Sequence, residues 1–374
     1  MPYSLIIIWH ERLRYLPAIM AVAFSAVLIA LQCGLLLGLF TLMSIPVDHT
    51  GADIWVGYPD VLSVDLGRPI PERWLTRVAR QPEVARVEPC VLGFASWRSR
   101  SGRVEVCTVI GSRLNSGALG AVDRLEPALR ARLAEPATIV VDQSERNRLG
   151  IKGEKDYAEI NGRRVQVVGL VRDLKSLGGP YVFCSLETAR SILNLRADQT
   201  TYLLASCRQR SDAPAVVRRL QQRYPSDKMS VFTQPEFSFR SRWHWLTKTK
   251  AGIALGCAAV LGLLVGAVVT SQTLYGATAA SLPQYAVLRA QGISRFRIAS
   301  IVIAIAFWVG VAGVFLALPV VFALAQVAEA LGTKVLLPWW LLSASSGITL
   351  IMALLSGLAA LRLVWQIKLG EILR

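Results

Sequence analysis

The chain has 374 residues, of which 53% are hydrophobic, and carries a formal net charge of +16. Its mean hydropathy of +0.45 excludes an ordinary soluble domain. Charge is absent from four stretches, Tyr15–Val47, Ala251–Leu288, Ile298–Ala328 and Val335–Leu361, each longer than the roughly 20 residues a helix needs to cross a bilayer.

Most of the Arg and nearly all of the acids lie between the first and second stretches. The predicted architecture is a membrane α-helical protein of four transmembrane helices. A large extracytoplasmic α/β domain is inserted between the first and second. Short segments set sidedness, because basic residues are retained inside. Arg12 and Arg14 oppose Glu11 at one end, Arg362, Lys368 and Arg374 oppose Glu371 at the other, and the second-to-third connection holds three Arg. Both termini are therefore expected inside and the large domain outside. Trp243, Trp245, Trp339 and Trp340 fall where an outer aromatic belt would lie, and Trp9 and Trp365 where an inner one would. The expected boundaries are a cytoplasmic interfacial helix over 1–17, spans over 18–43, 248–275, 298–325 and 338–361, and an external domain over 44–247. A connecting segment over 276–297, a short external loop over 326–337 and an inner tail over 362–374 complete the chain.

In chain order, Ser4–Tyr15 places Leu5, Ile8, Trp9 and Leu13 on one helical side with Arg12 and Arg14 opposite, a pattern that suits an interfacial helix. Pro17 is expected to break the direction before the first span. That span is too long, and lacks the small-residue site, to be a cleaved signal peptide. Gly34 and Gly38, and in the second span Gly252 with Gly256 and Gly262 with Gly266, are four apart. Small residues at this spacing allow close helix approach in lipid, and the expectation is a homodimer packed on them.

The external domain reads as a split β-α-β core over 52–115 and 200–234 around a subdomain inserted at 116–199. The first unit is a strand at Val61–Asp65, a helix at Pro71–Gln81 and a strand at Val84–Phe94. The second is a strand at Thr201–Cys207, a helix at Ala213–Arg223 and a strand at Met229–Thr233. Helix stripes of Trp74, Val78 and Ala79, and of Val216, Val217 and Leu220, are expected to cover a sheet. Between the units, Ser101-Gly102 and Asn161-Gly162 are hairpin signals. Tyr157–Ile160, Arg164–Val171 and Thr138–Val141 read as strands, Thr188–Leu195 as a helix and Leu177–Pro180 as a loop. Pro235–Lys250 is expected to run as one stiff helix into the second span. Cys90, Cys107, Cys184 and Cys207 lie in this domain; buried free thiols are favoured over a bridge, because Cys is often simply buried.

Pro283–Arg297, PQYAVLRAQGISRFR, joins the second and third spans with Arg and no acid. Tyr285 and Leu288, with Val287 beside them, make an apolar stripe on a short helix. Gly292 suits its C-terminus and Ser294 the cap of the next helix. QYAVLRAQGISRFRI resembles the cytoplasmic coupling segment of the FtsX/MacB/LolC permease family, which typically reads E-[IY]-A-x-L-[KR]-A-x-G-[AI]-S. Tyr285, Ala286, Leu288, Arg289, Ala290, Gly292, Ile293 and Ser294 fit, whereas Gln284 stands for the usual Glu and Pro283 is unusual. The tail, ALRLVWQIKLGEILR, resembles the family's C-terminal pattern at Glu371, Leu373 and Arg374, with Gly370 near where Pro is usual.

The chain contains no G-x-x-x-x-G-K-[ST], no HExxH and no GxSxG, so no ATPase, metal or triad chemistry is expected within it. His10, His49 and His244 sit near membrane boundaries. No span holds an Asp, Glu, Lys, Arg or His in its middle, which argues against an ion-coupled carrier. The outward location of the basic domain argues against nucleic acid and favours anionic lipid headgroups or acidic glycans. By resemblance, the chain is closest to DevC-like or MacB-like permeases without a fused ATPase, in the bacterial inner membrane. The external domain is then MacB-like, two copies pair with two ATPase subunits that bind ATP and Mg, and a periplasmic adaptor and outer-membrane duct carry a lipid, glycolipid or other hydrophobic cargo. The resemblance implies that Gln284, Tyr285, Ala286, Val287, Leu288, Arg289, Ala290, Gly292 and Ile293 touch the ATPase. FtsX-like activation of cell-wall hydrolases and LolC-like lipoprotein release are the alternatives.

Overall fold

The computed structural model describes residue 8 and residues 10–365, apart from 101, 177, 226, 227 and 332. The chain divides into two units. The residues up to Gly38 and from Ile253 onward form one, and Leu39–Gly252 form the other. The tail from 366 on, with Lys368, Gly370, Glu371, Leu373 and Arg374, lies outside the described residues, as do Leu5, Trp9, Ser101 and Leu177.

Helix α1, Arg12–Leu42, includes Pro17. The break expected at Pro17 is absent. The ring forfeits one backbone bond to residue 13, while burial of Tyr15, Ala18 and Val22 along the same helix holds its axis.

In the external unit, α2 (Ile45–Asp48) leads to strand β1 (Ile54–Gly57), β2 (Ile70–Pro71), helix α3 (Leu75–Ala79), β3 (Val84–Arg98) and β4 (Val104–Ser112). There follow α4 (Pro127–Leu133), β5 (Thr138–Asp142), α5 (Arg146–Leu149), β6 (Tyr157–Ile160), β7 (Arg163–Val171), β8 (Tyr181–Ser185), α6 (Leu186–Leu193), β9 (Gln199–Thr200), β10 (Tyr202–Cys207), α7 (Ala213–Arg223), β11 (Ser230–Thr233) and α8 (Gln234–Lys248). Strands β11, β1, β10 and β3 form an antiparallel sheet in that order. Numbered along the two β-α-β units, this is order 4-1-3-2, the arrangement of a split β-α-β core. Val78, Val216, Val217 and Leu220 cover one sheet face with Ile54, Val56, Leu203 and Val231; Ala79 is exposed instead. On the other face Phe237 of α8 lies 5.3 Å from the ring of Phe232 and 5.6 Å from that of Trp55.

The expected strand at Val61–Asp65 is a turn. Ser63 donates its hydroxyl to the Asp65 carboxylate, and Val64–Leu66 close a 3-10 turn; such local side-chain bonds compete with strand pairing. The leading strand is β1, buried along its whole length.

The remaining strands close on themselves. Beyond Cys90, β3 leaves β10 and pairs with β4, and the order runs β3, β4, β8, β5, β7, β6. Trp97↔Ile160 and Arg98↔Glu159 then return β6 to β3, sealing a six-stranded barrel. Its interior holds Trp97, Val109, Ile139, Val141, Ile160, Val167 and Val182, and the Trp97 indole N–H donates to the Leu149 carbonyl at 3.1 Å. The barrel thus draws in β3 and β4 from outside 116–199. Cys107 and Cys184 are buried within it, Cys90 is buried in the adjoining core, and all four external cysteines are free. Burial pushes the Cys90 and Cys107 thiols up to about 12.

Helix α8 does not run on into the second span. Thr249 is extended (φ −95°, ψ 144°), and its Oγ1 accepts the Gly252 N–H at 3.1 Å, so it caps a new helix rather than continuing the old one. Trp245 turns inward, donating its indole N–H to Asp65 at 3.1 Å, while Trp243 stays 55% exposed.

The membrane unit then comprises α9 (Lys250–Ala280), α10 (Leu282–Ala290), α11 (Arg295–Ala330) and α12 (Trp339–Trp365). With α1, three of these are long and apolar enough to cross a membrane. Tyr15, Ala18, Val22, Leu274, Ala277, Ile305, Val309 and Ala353 bury one another between them.

Candidate coupling site at the α9–α11 connection

Proline at the start of α10 needs no backbone donor there. At its end, Gly292 takes φ +90°, its N–H returns to the Arg289 carbonyl at 3.0 Å and that of Ile293 to the Leu288 carbonyl at 3.2 Å. This pair of bonds is the Schellman stop, which demands a left-handed residue. Ser294 occupies the N-cap position of α11, with no side-chain capping bond among the described residues.

The apolar stripe of α10 faces α11. Tyr285 is 3% exposed and packs with Ile298, Ala299 and Val302, flanked by Leu282, Leu288, Ile293 and Ile303. Val287, by contrast, is 57% exposed and Phe296 83%. Gln284, Ala290 and Gly292 are exposed as well, and Leu288, Arg289 and Ile293 are half-buried. The Ala286 side chain lies outside the described residues. One set of α10 residues therefore holds the helix, and another is presented outward.

A second set of bonds meets the same helix from α1. Glu11 accepts from Arg14 at 2.7 Å and from the Gln284 amide. Arg14 also donates to the Ala280 carbonyl at the end of α9. The hydroxyls of Tyr15 and Ser281, both 1% exposed, lie 3.2 Å apart. Burial acts to raise the Glu11 pKa, but the bonds from Gln284 and Arg14 and the Arg14 charge outweigh it, leaving the carboxyl below its ordinary value. Residues 11 and 284 stand 273 positions apart, so no local pattern announces the pair.

The glycines expected at a dimer interface make close contacts inside this chain. A Cβ at Gly262 would meet Gln32, one at Gly266 Ser25, and ones at Gly34 and Gly38 the segment from Lys334 to Leu337. At Gly252 it would meet the Trp245 and Leu246 backbone, and Gly256 is half-buried on α9. Ser25 donates to the Gly266 carbonyl at 3.1 Å and lies 3.1 Å from the Thr270 hydroxyl.

A cleft of about 860 Å³ in the external unit is lined by Arg113, Arg163, Glu72, Glu187 and Arg190. Arg190 spends its donors on Glu72, on Glu187 at 3.0 Å and on the Gln199 carbonyl at 3.3 Å, which makes it a structural tie. Among the described residues no group of three or more His, Cys, Asp or Glu side chains is placed to hold a metal ion.

Comparison with known families matches both parts of this layout. A profile described as the MacB-like periplasmic core domain matches residues 17–223, and one described as the FtsX-like permease C-terminal matches residues 256–369. The chain belongs to the MacB/FtsX-type ABC permeases. The periplasmic region of MacB from Actinobacillus actinomycetemcomitans is similar at 10% identity and a TM-score of 0.34, over 50% of this chain and 92% of that one. The extracellular domain of the noncanonic ABC-type transporter YknZ from Gram-positive bacteria is similar at 10% identity and a TM-score of 0.33, over 48% and 99%. A search of curated proteins found none that matches. The permease is thus a multi-pass membrane protein with a periplasmic or extracellular domain between its first and second spans. Membership also implies an ABC ATPase partner.

Proposed function

We propose that this permease converts ATP binding and hydrolysis on a separate subunit into movement of its external domain, driving export of a lipid, glycolipid or other hydrophobic substrate through a periplasmic adaptor and an outer-membrane duct. Both termini and α10 then face the cytoplasm of the inner membrane, and the working unit is a dimer of this chain with two ATPase subunits that hold ATP and Mg. The observation that carries the reading is the division of labour on α10. Tyr285 anchors the helix to α11 while Val287 and Phe296 are left exposed, apolar side chains available to a partner. The spans hold no Asp, Glu, Lys, Arg or His in their middle, which suits a cargo that never crosses them.

The test is Val287→Asp. The side chain is exposed, so insertion and yield should be retained while co-purification of the ATPase from native membranes drops. Undiminished capture of the ATPase would remove α10 as the docking element. Identification of the co-purified external partner decides the rest: an adaptor supports export, and a cell-wall hydrolase without an adaptor supports transduction.

A further inference from the structure

We infer that Glu11, Arg14 and Gln284 form a polar strap that makes the start of α1 move with the coupling helix. The inference rests on the reading of α10 as the ATPase docking element and adds positioning residues to it. Glu11 holds Gln284 and Arg14 together, and Arg14 reaches across to the last carbonyl of α9. Just inside, Tyr15 meets Ser281 at 3.2 Å, and Tyr285 shares that hydroxyl cluster. The contact thus spans the joint between α9 and α10, with a charged outer layer over a buried hydroxyl layer.

The strap explains the residue at 284. A Glu there would set a second carboxylate against Glu11, and like charges at hydrogen-bond distance repel. An amide instead donates to the carboxylate, and a bond to a charged group is about twice as strong as a neutral one. Gln284 is therefore the complement of Glu11. Its mechanical sense follows from α1, which is a single helix from Arg12 to Leu42. Leu39 and Leu42 in its last turn belong to the external domain's core. Displacement of α10 pulls on the first turn of this helix and reaches the outer domain through it. The route through α9 meets the extended residue Thr249, where an uninterrupted helix is lacking.

The test uses the full chain with its co-purified ATPase in lipid nanodiscs. Two quantities are read: the amount of ATPase bound, and the ATP-dependent change in amide hydrogen exchange over residues 39–47. Gln284→Glu should reduce the ATP-dependent change by about fivefold or more, the lower end of typical coupling between sites, and Glu11→Ala, at a residue outside the expected docking set, should reduce it while keeping ATPase binding. Gln284→Ala, which removes the donor without adding charge, should give a smaller loss. Exchanging the partners, Glu11→Gln with Gln284→Glu, should restore the change, because amide and carboxylate still meet. An unaltered response in Gln284→Glu, or no recovery in the exchanged pair, overturns the strap. Loss of ATPase binding in Glu11→Ala also overturns it, since residue 11 would then be a docking contact. The docking reading fails separately, through retention of ATPase by Val287→Asp.

Discussion

The hydroxyl of Tyr181, on barrel strand β8, donates at 3.3 Å to the main-chain carbonyl of Leu42, the residue on which α1 ends. Both are buried, so the carbonyl has no ready access to water in exchange. Tyr181→Phe keeps the ring and deletes the donor. It should cost about 1 kcal/mol, the usual net worth of such a bond with some penalty for an orphaned acceptor. A lowered melting temperature of the intact permease in detergent checks it, and an unchanged melt would show that the bond contributes nothing.

Gly38 approaches backbone, not a movable side chain. A Cβ there would collide with the Lys334 carbonyl oxygen. Gly38→Ala should therefore destabilise the membrane unit by about 1–3 kcal/mol through overpacking. Gly276→Ala, with nothing within 4 Å among the described residues, is the matched control and should be neutral. Equal thermal stability of the two variants would contradict the close approach.

Glu145 is 2% exposed and one carboxylate oxygen has no hydrogen-bond partner among the described residues. Burial raises its pKa, against the opposing charges of Arg148 and Lys175. A raised pKa means the folded state holds the proton more tightly than the unfolded chain. The associated stability is full below the unfolded Glu value and is lost as pH rises through the folded one. Glu145→Gln should thus raise the melting temperature near neutral pH, with the gain shrinking as the pH falls toward about 4. A gain that is constant across that range would remove burial of the charge as its cause.

Sidedness can be read with a membrane-impermeant thiol reagent on sealed cells. Asp60→Cys, on an exposed turn of the external domain, should be labelled. Gln291→Cys, exposed at the end of α10, should be labelled only after permeabilisation. Labelling of residue 291 in sealed cells would invert the proposed topology.

Features that depend on a run of like residues were legible in the sequence. The apolar spans stand out by length alone, and α7 begins and ends where Ala213 and Arg223 were expected to bound it. The hairpin at Asn161-Gly162 falls between β6 and β7 because both residues take positive φ. Strands buried on both faces left no alternation to find: β1 reads IWVG and β8 YVFCS, each buried almost throughout. Val61–Asp65 misled for the opposite reason, since its alternation comes from Ser63 and Asp65 bonding each other. At the coupling site, the glycine stop and the apolar stripe were visible in sequence spacing. The Glu11 contact, which exists only once α1 and α10 are brought together, was not.

Strand β3 gives half its length to the four-stranded sheet and half to the barrel. Neither part can therefore be excised as a cassette. Removing 116–199 would strip β4 of β8 and the far end of β3 of β6, uncovering backbone that invites pairing with other chains. Homologous recombination or loop grafting aimed at the barrel would have to carry β3 whole, together with its partner β10. Exchange of the outer domain between relatives is thus confined to the entire lobe.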